Sequence, residues 1–311
     1  MTVPGRPDRG GSAGSPGSHG IVVVDKPEGP TSHAIVGRAR KAWGTRRVGH
    51  AGTLDPLATG VLVLGIGSAT RLLGHLSAQG KEYVATMALG VATISDDAQG
   101  DVVSAAGATL TGAEIEAAMA PWRGSVRQRP NAVSAVHIDG RRAHERVRAG
   151  EDVDVPERDV TIDAFDLLDL RHDVVAGVTA TVIDVRVSCS AGTYVRALAR
   201  DVGAALGVGG HVMALRRTRS GAFTLDDACV PDDMGSVTPM SSAEAARRSL
   251  PWVEIDADSV RAVTHGVRIP WPQGAAEEGT IAFVHGDDLL ALAERRGDTA
   301  AYSAVFPPDA P

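Results

Sequence analysis

The stretch from Ile183 to Cys189 constrains the fold most. Ile183, Val185, Val187 and Cys189 alternate with Asp184, Arg186 and Ser188, the period of a strand with one apolar face. Such a strand needs a sheet, and the sheet needs a second layer over its apolar side. Helical signals stand beside it. Gly192 turns the chain, and Thr193 is placed to cap a helix running to about Leu206, which Val208-Gly-Gly ends. Upstream, Ile21 to Val24 is a short apolar run closed by Asp25, Lys26 and Pro27, a strand entering a turn. Thr31 or Ser32 can cap the next helix, where Ile35, Ala39 and Trp43 share a face and Gly44 marks the end. Val61 to Ile66 and Lys81 to Leu89 read as further strands, and Thr111 to Met119 as a helix. Helix plus loop is expected around Arg141 to Arg148.

Aromatic residues are only 4 % of the 311, so Ala, Val and Leu must fill the core and each aromatic merits inspection. Residues 1–19 are rich in Gly, Ser, Pro and Arg without an apolar run, which predicts a disordered tail rather than a signal peptide. No apolar stretch approaches the roughly 20 residues of a membrane span. Two cysteines, Cys189 and Cys229, form neither a metal cluster nor a disulfide framework. A cytoplasmic protein is expected. The formal charge is -7, but Pro251 to Pro311 holds 4 Lys/Arg against 10 Asp/Glu, so residues 1–250 are near neutral. Within them, basic residues gather in Arg38 to Arg47, Arg123 to Arg148 and Arg196 to Arg219. Three such clusters fit a surface that collects phosphate contacts, although a single run is usually a solvated face. Pro251 opens a segment of short apolar runs and turns, expected to form a small β-rich domain.

GxSxG, P-loop, HExxH and CxxC motifs are absent. The loop Val48 to Gly60, between a predicted helix and a buried strand, is a rigidly mounted place for a reactive group. It carries His50-Ala-Gly-Thr-Leu-Asp-Pro-Leu-Ala-Thr-Gly. Asp55 before proline reads either as a turn former or as a nucleophile. Arg196, in the first turn of its helix, is opposed by the helix dipole and would welcome an acidic partner, or would form an ordinary surface ion pair. Tyr83, on a strand, either packs across the sheet or stacks on a displaced base. Tyr194 reads as packing, and His50 as structural or as an RNA contact.

Together, Gly20-Ile-Val-Val-Val-Asp-Lys-Pro, Val48-Gly-His-Ala-Gly-Thr-Leu-Asp-Pro-Leu-Ala-Thr-Gly-Val-Leu, Lys81-Glu-Tyr, Ser190-Ala-Gly-Thr-Tyr-Val-Arg and His211-Val-Met-Ala-Leu-Arg-Arg resemble the bacterial tRNA pseudouridine-55 synthases of the TruB type. The resemblance runs along residues 20–250, and its Gly-Thr-Leu-Asp-Pro-Leu-Ala-Thr-Gly block is highly specific. It implies an isomerase that detaches one uridine of the tRNA T-arm from its ribose, rotates it and rejoins it through carbon, without metal or other cofactor. The target base is flipped out of the RNA. Asp55 takes the place of the essential aspartate, Tyr83 of the tyrosine stacked on the base, and Arg196 of the arginine paired with the aspartate. His50 corresponds to a histidine holding the opened loop, while Lys26, Tyr194 and Leu215 line or support the pocket. The implied fold is α+β: a mixed, mainly antiparallel central sheet flanked by helices, plus a small C-terminal PUA-like β domain. The implied domains are 20–250 for catalysis, with an RNA-gripping insertion at about 127–158, and 251–311. A monomer with tRNA as partner is expected, with no membrane and no protein partner.

The sequence departs from the family at Val133, His137 and His144, all within that insertion. The pair Asp96-Asp97 falls in the family's Asp-rich loop, though its flanking residues differ. Two rivals are a non-catalytic RNA-binding protein on the same scaffold and a two-carboxylate glycoside hydrolase. Retention of Asp55, Tyr83 and Arg196 together speaks against the first, and no second acid motif is visible for the other.

Overall fold

A computed structural model describes residues 19–131, 137–138, 141–142 and 155–306. Its centre is a ten-stranded sheet. The main path runs Ala228–Cys229, Gly20–Lys26, Ala58–Ile66, Gly210–Ser220, Lys81–Leu89, Val178–Cys189, Arg158–Val175, Gly124–Gln128. Two pairings are parallel, Gly20–Lys26 with Ala228–Cys229 and Ala58–Ile66 with Gly210–Ser220. The others on this path are antiparallel, so the mixed, mainly antiparallel sheet expected from the resemblance is found.

Why some strands alternate and others are apolar throughout follows from their place in the sheet. Val22, Val24, Leu62 and Leu64 point into one core with Ile35, Val185, Leu198 and Val212. Ile21, Val23, Val61 and Val63 point the other way, into a second core. Strands covered on both faces have no solvent side to carry polar residues. The strand holding Ile183, Val185 and Val187 is covered on one face only, and its Arg186 sits in the open, 2.8 Å from Asp166.

Helices Ser32–Ala42, Gly112–Met119 and Val195–Ala205 cover the first core. Thr31 caps the first, accepting from Ala34 N at 3.1 Å, and Thr111 with Glu114 forms a capping box on the second. The third differs from the sequence reading. It begins at Val195 with Tyr194 at the N-cap and no side-chain cap of its own. Gln128, on a neighbouring strand, accepts from Tyr194 N at 2.8 Å and donates to Tyr194 O at 3.0 Å. A cap supplied from 66 residues away leaves no local signature.

The C-terminal segment forms a four-stranded sheet, Trp252–Glu254, Ile281–His285, Asp288–Arg296 and Thr299–Val305, so the expected β-rich character holds. Helix Ala257–Thr264 packs Val263 on one face with Ile281, Phe283 and Ala291. The other face sends Ala282, Val284, Leu289 and Leu292 into the second core, against Val61, Val63 and Phe223. No helix among the described residues is long and apolar enough to cross a membrane. Of the helix expected near Arg141 to Arg148 only Arg141–Arg142 are described, and they pair as a strand with His137–Ile138. The N-terminal tail to residue 18, Val133 and His144 lie outside the described residues. So does most of the predicted insertion, whose flanks Arg127 and Asp159 are strand partners.

Candidate active site

The loop that carries Asp55 is pinned from several sides. Ser32, at the start of its helix, accepts from Leu54 N at 2.8 Å and donates to Leu54 O at 2.9 Å. Pro56 O accepts from Gly29 N at 2.8 Å and from Lys26 Nζ at 3.3 Å. Ala58 N closes the turn on Asp55 O at 3.1 Å. Asp55 is therefore a turn residue as well as a pocket residue. With its carbonyl taken by Ala58 N, its side chain is left for the pocket, 38 % exposed.

Arg196 reaches Asp55 through Nη2 at 3.0 Å and the buried Asp97 through Nη1 at 2.9 Å. The same Nη1 donates to Ser95 O at 3.0 Å. Asp97 also accepts from Ser95 Oγ at 2.6 Å and from Gln99 N at 3.0 Å. Arg196 thus stands between two carboxylates, one fixed in the interior and one facing the pocket. A guanidinium in such a fork has a defined plane, and that plane orients Asp55. This is no ordinary surface ion pair, because Arg196 is 5 % exposed. Asp97 had only a weak sequence signal; its partner lies 99 residues away.

Asp55 shares its pocket with Tyr83, Tyr194, Leu215, Lys81 and Arg217. Tyr83 lies on the central strand Lys81–Leu89, opposite Arg217 on Gly210–Ser220. Burial pushes the Tyr83 phenol above its usual range, while the Arg217 charge and hydrogen bond pull the other way. Leu215 stands between Ala58 and Ala85 on adjoining strands, an apolar wall. The Tyr194 ring is backed by the Arg158 guanidinium at 5.2 Å. Lys81 Nζ donates to Ser77 O and Gln79 O at 2.5 Å each, and burial brings its pKa down to about 8.

Lys26 and His50 are not in the pocket wall. Lys26 is fully buried beneath the loop, where Nζ donates to Pro27 O at 2.9 Å and Pro30 O at 2.8 Å besides Pro56 O. Burial brings its pKa to about 8, against the pull of Asp55. It supports the pocket from below. His50 ends the strand Val48–His50, and its buried Nδ1 makes no hydrogen bond in the protein. Burial lowers its pKa, with Arg217 and His33 adding to the effect.

Sequence reading missed Arg217 and Lys81 as pocket residues, although both fall inside the fragments quoted above. The Arg196 to Arg219 cluster also proves different in kind from a phosphate-collecting surface. Arg196 and Arg217 are buried, Arg200 pairs with Asp96 and Asp201, and Arg216 pairs with Asp25 at 2.7 Å. Charge counting cannot tell a structural arginine from an exposed one. In the first cluster Arg38, Lys41, Arg46 and Arg47 are exposed.

Chemically, the pocket offers one oriented carboxylate, a phenol, an apolar wall and buried cations. Residues 40–195 match the TruB family pseudouridylate synthase (N terminal domain), and residues 196–242 the tRNA pseudouridylate synthase B C-terminal domain. The chain belongs to the TruB family. It is 52 % identical over 278 residues to the tRNA pseudouridine synthase B of Cutibacterium acnes, covering 88 % of this chain and 92 % of that one. With the protein of the same name from Streptomyces avermitilis it is 48 % identical over 292 residues, covering 92 % and 97 %. Among solved structures it resembles an H/ACA RNP bound to a substrate RNA containing 2'-deoxyuridine. The TM-score is 0.70 at 27 % identity, over 93 % of this chain and 86 % of that one. A Cbf5-Nop10-Gar1 complex gives 0.70 at 28 % identity over the same shares. As a TruB family member the chain is a pseudouridine synthase, an isomerase, and it has that family's fold.

Proposed function

We propose that this tRNA pseudouridine synthase acts on uridine 55 in the T-arm of tRNA, with Asp55 as its essential carboxylate. The observation that carries this reading is the 3.0 Å contact between Asp55 and Arg196 at the mouth of a pocket that also holds Tyr83 and Leu215. The target uridine must leave its stack to reach such a recess. Leu215 and Tyr83 offer it a flat apolar slot.

Breaking the bond between C1' and N1 sends the electron pair out with the base and leaves positive charge on the ribose. Asp55 meets that charge, by electrostatic stabilisation or by attack at the sugar. The detached base then turns, C5 bonds to C1', and the C5 proton must leave. Tyr83 is the acceptor nearest in kind. Arg196 holds Asp55 in plane, and Asp97 holds Arg196. Lys26 and Ser32 fix the loop beneath them, and His50, a strand end beside the loop, contacts the opened RNA. We assign catalysis to residues 20–250 and RNA gripping to about 127–158. Residues 251–311 form a PUA-like unit whose acidity limits its share of RNA binding. The protein works as a cytoplasmic monomer.

The test is purified protein with unmodified tRNA transcript. Asp55→Asn should fold and bind tRNA yet form pseudouridine at least about a thousandfold more slowly, the scale on which lost nucleophiles act. Near-normal product at position 55 would overturn the mechanism, and product at another position would overturn the site of action.

A further inference from the structure

Arg217 is 1 % exposed, and its hydrogen bonds run to carbonyl oxygens rather than to a carboxylate. Nε donates to Val61 O at 2.7 Å, Nη1 to Thr53 O at 3.3 Å and Nη2 to Gly52 O at 3.1 Å. A buried cation without a counter-ion is costly. Its place in the pocket suggests what it is kept for. Arg217 and Tyr83 are direct partners across adjoining antiparallel strands, so their side chains share a face. Both line the pocket, and the guanidinium charge acts on the phenol. Lys81 spends its ammonium on Ser77 O and Gln79 O, and Arg217 is the cation whose charge acts on Tyr83.

We propose that Arg217 is a positioning residue that ties the loop of Asp55 to the Tyr83 phenol and poises that phenol to take the C5 proton. This rests on the reading of Tyr83 given under Proposed function. In the step concerned, the C5–H bond breaks, its proton passes to the Tyr83 oxygen, the electron pair forms the C5–C6 double bond, and the C6–N1 pair returns to N1, which takes a proton from water. The acceptor is the phenolate, which returns its proton to water after product leaves. Burial alone favours the phenol, and the nearby guanidinium charge favours the phenolate. The same guanidinium grips the carbonyls of Gly52 and Thr53, just before Asp55. One side chain therefore sets the distance between the group that handles the sugar and the group that handles the base.

The chain has only three tyrosines, so the absorbance titration of Tyr83 is the component missing from Tyr83→Phe. Arg217→Lys and Arg217→Gln are compared with the unaltered protein. In both, the Tyr83 titration should move to higher pH, and the alkaline rise of kcat should move with it. At neutral pH kcat should fall about tenfold for each pH unit of movement. KM for tRNA should stay near its original value, and 3-fluorotyrosine at position 83 should restore part of the loss. A fall in kcat with the titration unmoved would overturn the inference. If both variants fail to fold, hydrogen exchange of the Arg217 guanidinium, measured in the unaltered protein and in Tyr83→Phe, asks the same question with Arg217 intact. Faster exchange in Tyr83→Phe is expected, and unchanged exchange would overturn the tie. An inactive unaltered protein would instead count against the proposed function.

Discussion

Replacing Ser32 by alanine tests how the Asp55 loop is held. The Ser32 hydroxyl is buried and serves both backbone groups of Leu54, the N–H at 2.8 Å and the C=O at 2.9 Å. Leu54 is itself 3 % exposed, so solvent has little access to either group. Alanine leaves both without a partner, at about 1–3 kcal/mol each. The better helix propensity of alanine returns about 0.5 kcal/mol. The net expectation is a loss of about 1.5–5.5 kcal/mol. Because Leu54 precedes Asp55, relief of these unpaired groups should also displace the carboxylate, and a shift of about 1 Å can cost about a hundredfold in rate. Urea unfolding with an unchanged m-value measures the first effect, and single-turnover pseudouridine formation at saturating tRNA the second. Stability within about 0.5 kcal/mol of the unaltered protein, together with an unchanged rate, would refute the idea that Ser32 secures the loop.

Asp97→Asn leaves acceptors for Ser95 and Gln99 N but removes one of the two charges on Arg196. Breaking a buried pair costs about 3–5 kcal/mol, and the retained acceptors place this change at the lower end. The turnover number should fall much more than tRNA affinity, and equal losses would refute the orienting role. Lys26 and Lys81 titrate near 8 in the fold against an ordinary 10.5. Between those values the unfolded chain binds more protons than the folded one, so their contribution makes stability rise with pH across that window. Lys26→Met should flatten the rise in urea titrations taken from about pH 8 to 10, and an unchanged slope would refute the assignment.

Much of the scaffold was legible because it depends on local pattern. The alternation at Ile183 to Cys189 and the capping pair Thr111 and Glu114 are each contained within a few residues. The apolar runs at Ile21 and Val61 were legible as strands, but not that they are sheathed on both sides, since a buried run reads alike in several settings. In the pocket, Asp55, Tyr83 and Arg196 were recoverable only through their company in a family pattern. Arg217 escaped, and Asp97 showed only as one of an acidic pair, because their roles depend on what faces them across the sheet or a hundred residues away. An arginine that ends up spent on carbonyls and one that ends up in solvent look alike in a sequence.

The second core has a consequence for motion. Its residues come from the central-sheet strands Gly20–Lys26 and Ala58–Ile66, the second of which follows the Asp55 loop, and from the C-terminal sheet. The two sheets therefore share one oily seam instead of meeting through a tether. A C-terminal unit glued on in this way cannot swing out to search for a ligand.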